Sequence, residues 1–181
     1  MKIILLPIIL IILTSCGAIE KFAADNIFRG NKQLRINTST DPVFDKYVQS
    51  FENHARSILS DSNFLVGDIP VNFGDTGSPD YKGVCVTYGD GKKEVLVEKA
   101  WWDSASILHQ ESLIFHELGH CRLDRIHDNS MLTNALGTKI IKATMMNEFI
   151  INPGNYSTYQ TEYITELFTK DISDLGLSFG I

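Results

Sequence analysis

Positive charge is in short supply in this chain: 16 Lys and Arg stand against 22 Asp and Glu, for a formal net charge of −6. Neutralising a phosphate backbone needs a basic face, so nucleic-acid binding is not expected. Proline is scarce at 5 residues and the 13 glycines are scattered, which excludes collagen-like and low-complexity chains. No segment repeats, and no Gly/Ser/Pro-rich stretch divides the chain, so neither a solenoid nor linked domains are expected. Three cysteines are too few for a disulfide-dense miniature fold. What remains is ordinary: 44% hydrophobic, 10% aromatic and 21% charged residues in 181, enough for one sizeable core.

The one long apolar run covers residues 3–13 and follows Lys2. It is too short to span a bilayer comfortably but fits the apolar part of a secretory signal. It closes on Leu13-Thr14-Ser15-Cys16, which resembles the lipobox of bacterial lipoproteins. The alternatives are a plain signal peptide, or a buried strand with a chance cysteine nearby. The resemblance implies that residues 1–15 are removed and that Cys16 is lipidated. It also implies a bacterial cell-envelope protein, anchored at the outer membrane or cell surface. Residues 16–37 show no sustained periodicity and read as a tether, with residues 38–181 as the domain. Cys85 and Cys121 remain, and an even pair in an exported chain predicts a disulfide, with two buried thiols as the alternative.

Asp41-Pro42 predicts a helix start, since Asp caps and Pro suits the first helical position. Phe44, Tyr47, Val48, Phe51, Ala55, Ile58 and Leu59 then recur at helical spacing, ending near Ser60. Strands are predicted at 69–73, 84–88 and 94–98, the last two joined by the turn Gly89-Asp90-Gly91. In the last, Val95 and Val97 share one face while Glu94, Leu96 and Glu98 share the other. That mixed outer face suits a sheet edge. Trp101-Trp102 reads as core or groove wall, and Asp103 or Ser104 as the cap of a second helix ending near Arg122. Its apolar residues nearly encircle it, which predicts burial. Residues 124–155 read as irregular or briefly helical, and 159–171 as a C-terminal helix. The expectation is one α+β domain with a small mixed sheet, an edge strand, a buried helix and a C-terminal helix.

Chemistry concentrates on the buried helix, at His116-Glu117-Leu118-Gly119-His120. Histidines at i and i+4 lie one turn apart on one face, so both imidazoles reach one metal ion. The Glu beside them is placed to take a proton from water activated at that metal. Three of the five histidines, His116, His120 and His127, fall in this short stretch. Satisfied core histidines are the bland alternative, but burying two imidazoles and a carboxylate without a partner is costly.

These residues resemble the zincin metallopeptidases, and most closely the metzincins, whose motif is H-E-x-x-H-x-x-G-x-x-H. Here the stretch reads H-E-L-G-H-C-R-L-D-R-I-H, with Leu123 at the glycine position and the third His one residue late. A single inserted residue accounts for both departures. Asp124 then occupies the turn, and Asp tolerates the left-handed conformation that the family's Gly adopts. Thr144-Met145-Met146 resembles the family's methionine turn and makes Met146 its methionine, with core filling as the alternative reading. The resemblance implies a zincin-like fold, a Zn²⁺ cofactor, Glu117 as general base, and His116, His120 and His127 as ligands.

The third ligand stays open. Asp128 would serve chemically, and a gluzincin-like enzyme would recruit Glu148, Glu162 or Glu166. His109 reads as a surface or supporting group and His54 as solvated. Cys121 points away from the His116/His120 face, which favours pairing with Cys85. The function expected is a membrane-anchored zinc endopeptidase, a monomer acting on a protein or peptide laid along the sheet edge. Tyr156 or Tyr159 is a possible oxyanion donor. The alternative is a lipoprotein that binds metal or peptide without cleaving it.

Overall fold

A computed structural model describes residues 27–30 and 34–180. The expected signal sequence and lipidation site, residues 1–15 and Cys16, lie outside the described residues. The fold is α+β. Four strands, β1 (Ile27–Gly30), β2 (Val71–Phe73), β3 (Gly83–Tyr88) and β4 (Lys93–Val97), form a mixed sheet in the order β1-β3-β4-β2. β3 and β4 are an antiparallel hairpin, while β1 runs parallel to β3 and β2 parallel to β4.

Alternation divides the hairpin between two apolar layers. Cys85, Val95 and Val97 join the main core, and Val84, Val86, Tyr88 and Leu96 form a smaller cluster on the other face. This overturns the edge expected at 94–98: β4 is interior, between β3 and β2. Its outer face tolerates Glu94 because that buried carboxylate accepts hydrogen bonds from Tyr88 Oη at 3.0 Å and from the Asn37 and Asn72 amides. Within the segment expected as a tether, 16–37, the described residues pack on the domain instead. Ile27–Gly30 is a sheet strand, and Arg35 donates to the Asp68 and Lys93 carbonyls. A four-residue strand is too short to announce itself by periodicity.

Asp41 caps a 3₁₀ turn, Pro42–Phe44, which leads into α1 (Asp45–Ile58). Phe44, Tyr47, Phe51 and Ala55 form its buried stripe, and Phe51 meets the Phe115 ring edge-on at 5.3 Å. Truncating such a buried aromatic typically costs about 3–5 kcal/mol. The helix predicted to start at Asp103 or Ser104 starts at Ile107, and a separate short helix precedes it. Glu98 caps α2 (Lys99–Ser104), which buries Trp101 and Trp102. Ala105 is extended, and Ser106 caps α3 (Ile107–Leu123).

α3 is buried without interruption from Ser112 to Cys121, so it lacks the polar face of a surface helix. It ends on Asp124 in the left-handed conformation, φ 50° and ψ 35°. Lys93 closes that end, donating to the Cys121 carbonyl at 3.0 Å and pairing with Asp124. A cation there complements the helix C-terminus.

Residues 124–155 contain more order than expected. A two-stranded ribbon, β5 (Met131–Thr133) and β6 (Ile140–Lys142), turns only Leu132 and Ile141 inward, too little pattern to read from sequence. Helices α4 (Pro153–Thr158), α5 (Gln160–Thr169) and α6 (Ser173–Phe179) follow, and α5 packs on α1. Among the described residues no helix is long and apolar enough to cross a membrane.

Candidate metal centre

α3 presents His116 and His120 one turn apart, and the loop after Asp124 returns His127 to them. The left-handed Asp124 makes that return possible, taking the turn assigned to it from sequence. The Cys85–Cys121 disulfide ties α3 to β3 immediately beside His120, with the two Cα atoms 5.4 Å apart.

The three Nε2 atoms converge. They lie 3.0 Å apart for His116 and His120, 3.1 Å for His120 and His127, and 3.2 Å for His116 and His127. Among the described residues this is the one group of three or more His, Cys, Asp or Glu whose ligand atoms could hold a metal ion. Nitrogens bound tetrahedrally at the usual zinc–imidazole distance lie roughly 3.4 Å apart, so the spacing fits a single transition-metal ion.

The far side of two rings fixes their tautomers. His116 Nδ1 donates to the Met145 carbonyl at 2.9 Å, and His120 Nδ1 to the Arg125 carbonyl at 2.6 Å. With Nδ1 protonated, each neutral ring presents its Nε2 lone pair to the centre, which is the form that ligates metal. Burial, then the neighbouring His120, holds His116 well below the ordinary histidine range, so it stays neutral. His127 is half-buried and gives the cluster its exposure to solvent.

Glu117 is fully buried, and neither carboxylate oxygen completes a hydrogen bond. The Cys85 amide is near enough to favour its charge, but burial dominates and raises the carboxyl well above its ordinary range. Its side chain lies against β3 at Gly83, where a Cβ would fall 2.9 Å from Glu117 Cγ. A buried, unsatisfied carboxylate between two metal-competent imidazoles suits a group that handles protons and gains nothing from a packing role.

Met145 and Met146 form a turn beneath the histidines. Met145 supplies the carbonyl for His116, and Met146 packs its sulfur against Gly119, between the two helical histidines. Thr144 Oγ1 accepts from the Met146 amide at 3.0 Å, and the Asp128 amide donates to the Met146 carbonyl at 2.9 Å.

The other candidate ligands are occupied elsewhere. Asp128 caps its own turn through Ser130, whose hydrogen bonds hold its carboxyl low. Glu162 accepts from Ser178 and Glu166 pairs with Arg125, while Glu148 is outside the cluster. The Tyr156 hydroxyl donates to Glu111 at 2.8 Å, with its pKa raised by burial and by Glu111, and Tyr159 packs edge-on against Phe179. Neither of these contacts points a hydroxyl at the histidines. His54 is half-buried, edge-on to Phe115, where the sequence suggested solvent. His109 lines a cavity of about 380 Å³ with Lys142, Phe149, Ile151 and Asn152. Burial lowers Lys142 there to about 8, and its charge bears on His116.

Sequence reasoning assigned no role to Gly83 or Arg125 and named Thr144 only within the resemblance to a methionine turn. Each acts through a contact between distant segments, which no local spacing marks. No family model, no curated protein and no solved structure matches this chain.

Proposed function

We propose that this chain is a zinc-dependent endopeptidase of the zincin type, held at the bacterial cell envelope by lipid on Cys16. The observation that carries the reading is the convergence of three Nε2 atoms beside a buried carboxylate with no hydrogen-bond partner. A structural metal site has no use for Glu117, because a fourth protein ligand would close it and Glu117 is not one. His116, His120 and His127 would hold the ion. Zinc so bound supplies a Lewis acid and brings the pKa of water down to about 7.

Burial raises the proton affinity of Glu117, and the positive charge of a bound metal ion would favour its ionised form, in which it would take the proton of the attacking water and return it to the leaving amine.

The test is hydrolysis of an unstructured protein such as casein by the mature chain, with and without a chelator. Cleavage should stop with chelator, return with zinc, and fall 10²–10⁴-fold in Glu117→Gln. Zinc bound without cleavage of any unfolded substrate would leave a non-catalytic metal-binding lipoprotein. Anchorage is tested separately: Cys16→Ser should leave the membrane fraction, and a processed mutant still membrane-bound would refute the lipid anchor.

A further inference from the structure

We infer that Glu166 is the positioning residue that sets the orientation of two metal-binding imidazoles at once, and through them the affinity of the centre. The inference rests on the metal reading above. Glu166 lies on α5, and its side chain is 2% exposed. Its Oε1 accepts from Arg125 Nη2 at 2.6 Å, and its Oε2 accepts from Thr144 Oγ1 at 2.8 Å and from the Met145 amide at 3.2 Å. Arg125 Nη1 also donates to the Glu166 and Leu167 carbonyls, which fixes that loop to α5 a second time.

The two arms of the carboxylate end on the two residues whose carbonyls orient the histidines. One arm holds Arg125, which accepts from His120; the other holds Met145, which accepts from His116. The loops at Arg125 and at Met145 both follow α3 in sequence, with the β5–β6 ribbon between them, and this one side chain joins them. A carbonyl moved out of hydrogen-bond reach no longer selects the Nδ1–H tautomer, and the Nε2 lone pair is then absent or misaimed. Groups that orient metal-binding imidazoles in this way typically account for 10–100-fold in metal affinity.

Glutamine at 166 keeps the shape but offers one acceptor oxygen and one donor amide, so it opposes one arm and, without the negative charge, holds the other more weakly. Cutting the arms singly separates their effects. Thr144→Val weakens the His116 arm, and Arg125→Met removes the His120 arm.

The experiment titrates zinc against a competing chelator in the full mature chain and reads histidine tautomers by long-range ¹H–¹⁵N NMR in the metal-free chain. Glu166→Gln should weaken zinc binding 10–100-fold and perturb the Nδ1–H signatures of both His116 and His120. Thr144→Val should perturb His116 alone, and Arg125→Met His120 alone. Val71→Ala, a core truncation in β2, controls for lost stability and should leave affinity and tautomers unchanged. Wild-type affinity with both tautomers intact in Glu166→Gln would overturn the inference. So would a loss of affinity no larger than that of Val71→Ala. A wild-type chain that binds no zinc would instead refute the metal reading, and the tautomer signals would still decide the positioning role.

Discussion

Met146 and Gly119 meet so closely that Gly119 has no room for a side chain: a Cβ there would lie 2.6 Å from Met146 Sδ and 3.1 Å from Leu167 Cδ1. Glycine in mid-helix normally costs about 1 kcal/mol relative to alanine, so an exposed Gly→Ala change would stabilise α3. Here overpacking, typically about 1–3 kcal/mol, opposes that gain. Gly119→Ala should therefore fail to stabilise the protein and should weaken zinc binding, because Met146 must shift the turn that carries the Met145 carbonyl. Thermal unfolding and chelator titration check this. Adding Met146→Ala should recover part of the zinc affinity. A stabilised Gly119→Ala with normal affinity would show that the contact is slack.

The disulfide closes a loop of sequence separation 36 and fastens α3 to β3 beside the centre. Chain-entropy reasoning assigns a loop of this size about 3–4 kcal/mol. Cys85→Ala with Cys121→Ala should lower the denaturant midpoint by the equivalent amount without abolishing the fold, because both positions lie in a well-packed core. Zinc affinity should fall less than in Glu166→Gln, since neither cysteine touches a histidine carbonyl partner. An unchanged midpoint would mean that the bond adds nothing to the packed state.

The parts legible in the sequence are those governed by local pattern. The encircling apolar residues of α3, the histidine spacing and the tolerance of Asp124 for a left-handed turn are all short-range facts, and the structure shows each of them. The cysteine pair needed only the expectation of export and an even count outside residues 1–16. What stayed hidden depends on contacts across long stretches of chain. An outward Glu94 suits an edge by pattern alone, and what buries that carboxylate is Tyr88 together with Asn72 and Asn37, contacts that cross the chain. Glu166 was weighed as a ligand, yet its carboxylate serves Arg125 and Thr144, at separations of 41 and 22 residues. The α2/α3 break rests on two extended residues, Ala105 and Ser106, which no apolar period marks.

The raised carboxyl of Glu117 has a consequence for stability in the metal-free protein. Its folded pKa lies well above the ordinary 4.5, so the folded state holds a proton that the unfolded state has released. The stability associated with the neutral carboxyl is present at low pH and is lost as pH rises above about 4.5 toward the raised value. Glu117→Gln removes this dependence. Measured without metal, the variant should become more stable than wild type as pH rises, by at most about 1.4 kcal/mol per pH unit. His116 acts in the opposite sense: its folded pKa is depressed, so stability falls as pH drops below about 6.5. Both proteins share that loss, so it cancels in their difference. A stability difference independent of pH from 4 to 8 would contradict a buried, neutral Glu117.

The central claim is that His116, His120 and His127 together hold one zinc ion and that Glu117 is not a ligand. Elemental analysis of zinc stoichiometry in purified variants tests it most directly. Wild type and Glu117→Gln should each carry one zinc per chain, and Asp128→Ala and Glu148→Ala should match them. His116→Ala, His120→Ala and His127→Ala should each lose the metal to a similar extent, because each removes a ligand outright. Full zinc retained by His127→Ala, with metal lost in Asp128→Ala or Glu148→Ala, would contradict the assignment.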